Sequence, residues 1–251
     1  MSPSKFCLLC LMLCLWMSPA SLLHSWPESY IVVHYGSSHT LECNADNEEI
    51  TWVPVTDCTQ GHSGSSLIGV DRPCAGNYTC LSSRNKVLKS VYVFMMQDDN
   101  LHISCSMESH SSPVVQCVLH IPEELQGLVR VMVSTRPAVE QQWVYVTNPQ
   151  RTEEINVNLS LPKSCVFGEQ VSPIIVTVQA ISDTEFATGS KRFYINEVVR
   201  PAPPEDVKVD VSRKHLSVSW KYPNTWSNPH SFFPLLFQIK LHYPDNKTVS
   251  Q

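Results

Sequence analysis

Glycine is scarce in this chain, and so is positive charge. Eight glycines are scattered over 251 residues, too dispersed to build the loop of backbone amides that cradles a phosphate. Lysine and arginine number 18 against 23 acidic residues, for a formal net charge of −5. No basic run occurs that would neutralise a series of phosphates, which argues against a nucleic-acid-binding role. Long apolar runs are missing too. Residues 6–17 are twelve apolar residues in a row, short of the roughly 20 that span a hydrocarbon core of about 30 Å, and no later segment is longer. The ten histidines include no H-E-x-x-H pair, and helical periodicity is almost absent. The expectation is a chain that is not an enzyme, with no metal and no cofactor.

What is present begins with a leader. Lys5 precedes the short apolar run, and Ser18, Pro19 and Ala20 supply small residues where signal peptidase cuts, so residues 1–20 read as a signal peptide. The mature protein is then expected to be secreted and extracellular, without insertion into a membrane. Cysteine use agrees, because an oxidising compartment lets thiols pair and persist. Of ten cysteines, Cys7, Cys10 and Cys14 fall in the leader. Cys43, Cys58, Cys74, Cys80, Cys105, Cys117 and Cys165 remain, an odd number that leaves one for an intermolecular bridge or a free thiol.

Three β-rich units follow. Residues 21–97 read as an Ig-like domain: Cys43 ends a strand, Trp52 lies on the next, and Tyr78 stands two residues before Cys80. In such a sandwich the disulfide staples two sheets, the indole packs on it and the tyrosine hydroxyl ties a corner to the backbone. Closing the loop from Cys43 to Cys80 contributes on the order of 3–4 kcal/mol in the chain-entropy picture. Cys74 replaces the acidic residue usual six before the second cysteine, and with Cys58 it can form an extra bridge.

Residues 98–199 alternate apolar and polar at Val129, Val131 and Val133, at Ile155, Val157, Leu159 and Leu161, and at Val176, Val178 and Ala180. This is the period of half-buried strands in a second sandwich. Cys105 and Cys117 fall on its expected first two facing strands. With His102 and His110 they could be taken for a metal cluster, but the spacing fits no zinc pattern and a disulfide is the better reading. Residues 200–251 open with Pro201, Pro203 and Pro204, a stiff hinge. Alternation then resumes at Leu216, Val218 and Trp220, and again at Phe237, Ile239 and Leu241. The class is all-β: an N-terminal Ig-like sandwich followed by two fibronectin type III-like sandwiches, the last expected to be truncated at Gln251.

Two smaller features complete the reading. Residues 60–66 carry serines beside His62, but lack the G-x-S-x-G spacing and a strand feeding it, so they read as a loop rather than a nucleophile elbow. Sequons stand at Asn77, Asn158 and Asn246, each a candidate glycosylation site.

The order of Ig domain, two-cysteine sandwich, proline-rich hinge and a third unit containing Trp-Lys-Tyr-Pro-Asn-Thr-Trp-Ser-Asn-Pro-His-Ser-Phe-Phe resembles the interleukin-12 beta subunit family. The likeness is strongest over residues 200–233. It implies a soluble cytokine-receptor-like chain, secreted as the beta subunit of an interleukin-12 or interleukin-23 type heterodimer that acts on cell-surface receptors in immune regulation. A four-helix cytokine alpha subunit would dock at the elbow between the second and third domains, and a receptor would contact the first. Cys165 falls where the family has its interchain disulfide; a capped thiol or an internal bridge is the alternative. Glu169, Phe232 and His110 fall at or near partner-contacting positions.

The chain also departs from that family. Cys117-Val118-Leu119 lacks the usual tryptophan after the cysteine, the second disulfide of this domain has neither partner, and the segment after Val33 is shorter. The same architecture also suits the ectodomain of a membrane class I cytokine receptor or, less well, an Ig and fibronectin adhesion protein.

Overall fold

The structure, a computed structural model, describes residues 23–43, 49–54, 58, 62–98, 101–125, 127–135, 142–146, 153–161, 173–213, 215–226, 234–242 and 248–250. Residues 1–20, expected to be a leader, lie outside these. The fold is all-β, built of Ig-like and fibronectin-like sandwiches, with one α-helical turn at Ile195–Val198 and three short 3-10 turns among the described residues.

The first unit comprises β1 (Tyr30–Val33), β2 (His39–Thr40), β3 (Ile50–Pro54), β4 (His62–Ser63), β5 (Ser66–Leu67), β6 (Gly76–Ser82) and β7 (Val87–Met96). One sheet runs β3-β6-β7, with β1 added parallel to β7; the other is the short ribbon β2-β5-β4. Strand β6 shows the logic of period two: Tyr78 and Cys80 are fully buried while Asn77, Thr79 and Leu81 lie half-exposed on the other side. Trp52 pairs directly opposite Cys80 and shares a core with Leu67, Val70, Val91 and Val93. The Tyr78 hydroxyl donates 2.8 Å to the Cys74 carbonyl, the corner tie that lets a buried phenol keep a hydrogen bond. Disulfides join Cys43 to Cys80 and Cys58 to Cys74.

Residues 62–67 correct one expectation. They form the tight β4–β5 hairpin rather than a plain loop. Gly64 at the turn has φ +59°, a left-handed conformation that glycine adopts at no steric cost.

The second unit comprises β8 (His102–Ser106), β9 (Val114–His120), β10 (Leu128–Thr135), β11 (Trp143–Val146), β12 (Glu154–Ser160), β13 (Ile174–Ile181) and β14 (Glu185–Phe193). Three strands in the order β12-β9-β8 face four in the order β11-β10-β13-β14, the three-plus-four division of a fibronectin type III sandwich. The expected alternations sit on β10, β12 and β13, and Ile155, Val157, Leu159, Val176, Val178 and Ala180 are buried between the sheets.

The Cys105–Cys117 disulfide differs from expectation in its placing. Its strands are neighbours in one sheet, with Cys105 directly opposite Cys117 and their Cα atoms 4.1 Å apart. It therefore staples adjacent strands, because directly opposed residues of an antiparallel pair bring their Cβ atoms within reach of a bridge.

Beyond the prolines lie β15 (Glu205–Val211), β16 (Leu216–Lys221), β17 (Lys240–His242) and β18 (Thr248–Ser250), paired as two separate ribbons. The predicted strand around Phe237 and Ile239 is shorter than its apolar pattern. Among the described residues of this segment only Lys240–His242 has ladder partners, and alternation by itself makes no strand without a ladder.

The first two units are joined edge to edge. The end of β7 lies parallel to the start of β14, pairing Met95 with Glu185 and Met96 with Phe186. Met95 N–H donates to Thr184 O and Gln97 N–H to Phe186 O, each at 2.8 Å. One continuous eight-stranded sheet results.

Candidate partner-binding surface

The elbow between the second and third units is preformed by backbone chemistry. Met107, just past β8, makes a parallel bridge with Val199, donating to Val198 O at 3.0 Å and accepting from Arg200 N–H at 2.7 Å. The chain then enters the prolines, which have no N–H to give. Ala202 keeps a donor, and the Thr225 hydroxyl accepts it at 3.1 Å. The Glu205 carboxylate accepts from Asn224 N–H at 3.0 Å. These two bonds fold the turn Asn224–Trp226 back onto the hinge, and Trp226 packs against the core of the second unit.

His110, expected near a partner-contacting position, lies at this elbow. It is only 3% exposed and meets the Trp226 ring edge-on at 5.6 Å between centroids. Aromatic packing across the elbow holds its ring against Trp226 in the chain by itself. Cys165, Glu169, Phe232 and Asn246 lie outside the described residues. Asn158 is exposed on β12 and Asn77 is half-buried on β6.

The junction of the first two units is the second feature of this surface. Trp26, Phe94, Ile181 and Phe186 form a buried cluster with Tyr30, Tyr92 and Leu128 packed around it. Tyr92 and Phe94 stack at 4.6 Å, and Tyr30 stacks on Phe186 at 6.0 Å. Into this apolar cluster comes one charge, Arg130, 9% exposed. Its Nε and Nη2 donate to Gln179 Oε1 at 2.9 and 2.6 Å, and Nη2 also donates to the Tyr30 hydroxyl at 2.9 Å. Its guanidinium carbon lies 3.9 Å from the Trp26 ring centroid and 4.3 Å from that of Trp143. Hydrogen bonds and two aromatic faces together replace the lost water, as a buried cation requires.

The Tyr92 hydroxyl donates 2.6 Å to the Asp183 carbonyl. Its pKa is pushed up to about 12, mainly by burial and secondarily by the negative charge of Asp183. Glu185, 4% exposed, is paired with Arg72 of the first unit.

Arg130, Trp26 and Glu185 were not among the expected functional residues, although the sequence held a trace of them. The run Val91-Tyr92-Val93-Phe94-Met95-Met96 is apolar on both faces, the mark of a strand buried on both sides. Leu128 and Met132 flank Arg130 on the face of β10 that alternation assigns to solvent. Among the described residues no helix is long and apolar enough to cross a membrane, and no group of three or more potential ligands gathers for a metal ion.

Together these features define a chain of Ig-like and fibronectin-like β-sandwiches, with a bonded junction and a formed elbow. No known protein-family profile matches it. Curated relatives are consistent in kind: interleukin-12 subunit beta of Sus scrofa is 22% identical over 82% of this chain and 71% of that one. The Homo sapiens protein of that name is 30% identical over 38% of this chain and 30% of its own length. The Lama glama protein is 36% identical over 31% and 24%. Among solved structures, the N-terminal four Ig domains of Dscam1 isoform 8.4 match at a TM-score of 0.32 and 14% identity, over 76% of this chain and 54% of that one. The resemblance to the interleukin-12 beta subunit therefore extends along most of the sequence, at modest identity, and those relatives are cytokine subunits rather than enzymes.

Proposed function

We propose that the protein is the beta subunit of a secreted cytokine heterodimer. The observation that carries the reading is the similarity to interleukin-12 subunit beta across 82% of the chain. The domains run from residues 21–97, 98–199 and 200–251. A four-helix cytokine alpha subunit docks at the elbow of the second and third, with Glu169 and Phe232 beside it and Cys165 bridging covalently. The first domain faces a cell-surface receptor. The formed elbow supports this, because bonds fixed before docking spare the complex the entropy of ordering a hinge.

Co-expression with an interleukin-12 type alpha subunit tests the proposal. A disulfide-linked heterodimer is expected on non-reducing gels, converted by Cys165→Ser to a noncovalent one. Failure of the wild-type chain to pair with any four-helix subunit, by covalent or noncovalent readout, would overturn it.

A further inference from the structure

The junction of the first two units encloses a cleft of about 890 Å³, and a sequon asparagine opens into it. Its walls come from four parts of the chain: Leu23 and Pro27 near the N-terminus, Gly76 and Asn77 of β6, Lys89 and Ser90 of β7, and Asp183 and Thr184 at the β13–β14 turn. Apolar carbon and polar groups both line this wall. A hexose has the same mixed character, with ring C–H faces for the leucine and proline and hydroxyls for the charged and hydroxyl side chains.

Asn77 lies on this wall, on the side of β6 opposite the core. The Ser90 hydroxyl donates 2.6 Å to its carbonyl oxygen. That bond fixes the amide plane and leaves the nitrogen, the atom to which oligosaccharyltransferase joins sugar, as the end that carries the linkage. The sequence Asn77-Tyr78-Thr79 completes the acceptor. Transfer couples the amide nitrogen to the anomeric carbon of a lipid-pyrophosphate-linked oligosaccharide. The nitrogen loses one proton and the lipid pyrophosphate is the leaving group.

We propose that Asn77 carries an N-linked oligosaccharide whose inner N-acetylglucosamine seats in this cleft and spans the junction between the two units. The proposal rests on the export reading, since the transferase acts only in the secretory pathway. It assigns the cleft a covalent occupant and gives the Asn77 sequon a structural task that exposed Asn158 does not share. Tyr92 and Asp183 form the base on which that sugar rests.

The test is glycopeptide mapping of the full chain made in cultured animal cells, with cell-retained and secreted protein both analysed. The Asn77 peptide is expected to carry glycan in the wild type and in Thr79→Ser, and to lose it in Thr79→Ala. Enzymatic release of that glycan by an amidase is expected to run about tenfold or more slower on the folded protein than on the unfolded chain, because cleavage must await local opening. A bare Asn77 in a chain that is oxidised, or glycosylated at Asn158, overturns this inference alone. Equal release rates from folded and unfolded protein overturn it as well. A chain with reduced cysteines and no glycan at any sequon overturns the export reading, and this inference with it.

Discussion

A guanidinium in an aromatic cluster has to be held from every side, and Arg130 shows what happens when it is. Two donors converge on Gln179, one reaches Tyr30, and two indoles lie within 4.3 Å. Lysine reproduces none of the fork and little of the stacking. Arg130→Ala is therefore expected to cost about 3 kcal/mol in denaturant unfolding, combining lost charged hydrogen bonds with a lost desolvated cation–π contact. Arg130→Lys should recover less than half of this, whereas full recovery would show that charge alone is needed.

Tyr92 gives a pH-dependent counterpart. Its folded pKa of about 12 lies above its ordinary value of 10.0, so the folded state holds the proton more tightly than the unfolded chain does. The contribution is complete below about pH 10, declines as the pH rises toward 12, and is gone above that. The stability of wild type relative to Tyr92→Phe should fall across this window. A difference that stays constant from about pH 10 to about pH 12 would contradict the assignment.

Elements in this chain are fixed as much by what approaches them as by their own pattern. Gly189, in the middle of β14, is an example: a Cβ built there would come within 2.6 Å of the Leu101 carbonyl oxygen and 3.0 Å of the Leu101 Cβ. The backbone leading into β8 crosses β14 at that point, and only glycine lets it pass. Gly189→Ala is expected to lower stability by about 1–3 kcal/mol, the usual range for overpacking a filled site, with a matching fall in melting temperature. An unchanged melting temperature would mean that Leu101 moves aside freely.

The same contrast separates what the sequence made legible from what it did not. Trp52, Tyr78 and Cys80 could be read because their chemistry is local and their spacing is tied to one corner of one sandwich. Ile155, Val157 and Leu159 were readable because β12 has one wet face. Arg130, by contrast, lies in a strand whose outer face is covered by another unit, so alternation misassigns its neighbours to solvent. The packing of His110 on Trp226, over a hundred residues on, was not legible because nothing in the local sequence brings the two together. The Cys105–Cys117 staple was legible as a pair of residues, though not as neighbours in one sheet, since period two is the same for adjacent and facing strands.

At the scale of the whole molecule, the chain divides into a fixed body and a loosely held arm. The first two units share a continuous sheet, a buried aromatic cluster and the Arg72–Glu185 pair, so they should unfold together. The described strands beyond the hinge have no comparable core. On β15 and β16, Val207, Val209, Val211 and Leu216 are 56, 57, 78 and 44% exposed. Among the described residues each ribbon makes ladder bonds only within itself, and an isolated two-stranded ribbon is marginally stable at best in water. What holds the arm is the elbow: Thr225 on Ala202, Glu205 on Asn224 and Trp226 on His110. Cut away from that elbow, residues 205–251 should not fold by themselves. Their amides from Leu216 to Leu241 are expected to exchange at unfolded-chain rates in the isolated segment, and measurably more slowly on β16 in the full chain, where Trp226 anchors the ribbon. Trp226→Ala in the full chain should bring β16 toward the isolated rate without changing exchange on β13. Protected amides in the isolated segment would show that the arm carries a core of its own, and the elbow would then join two independently folded bodies.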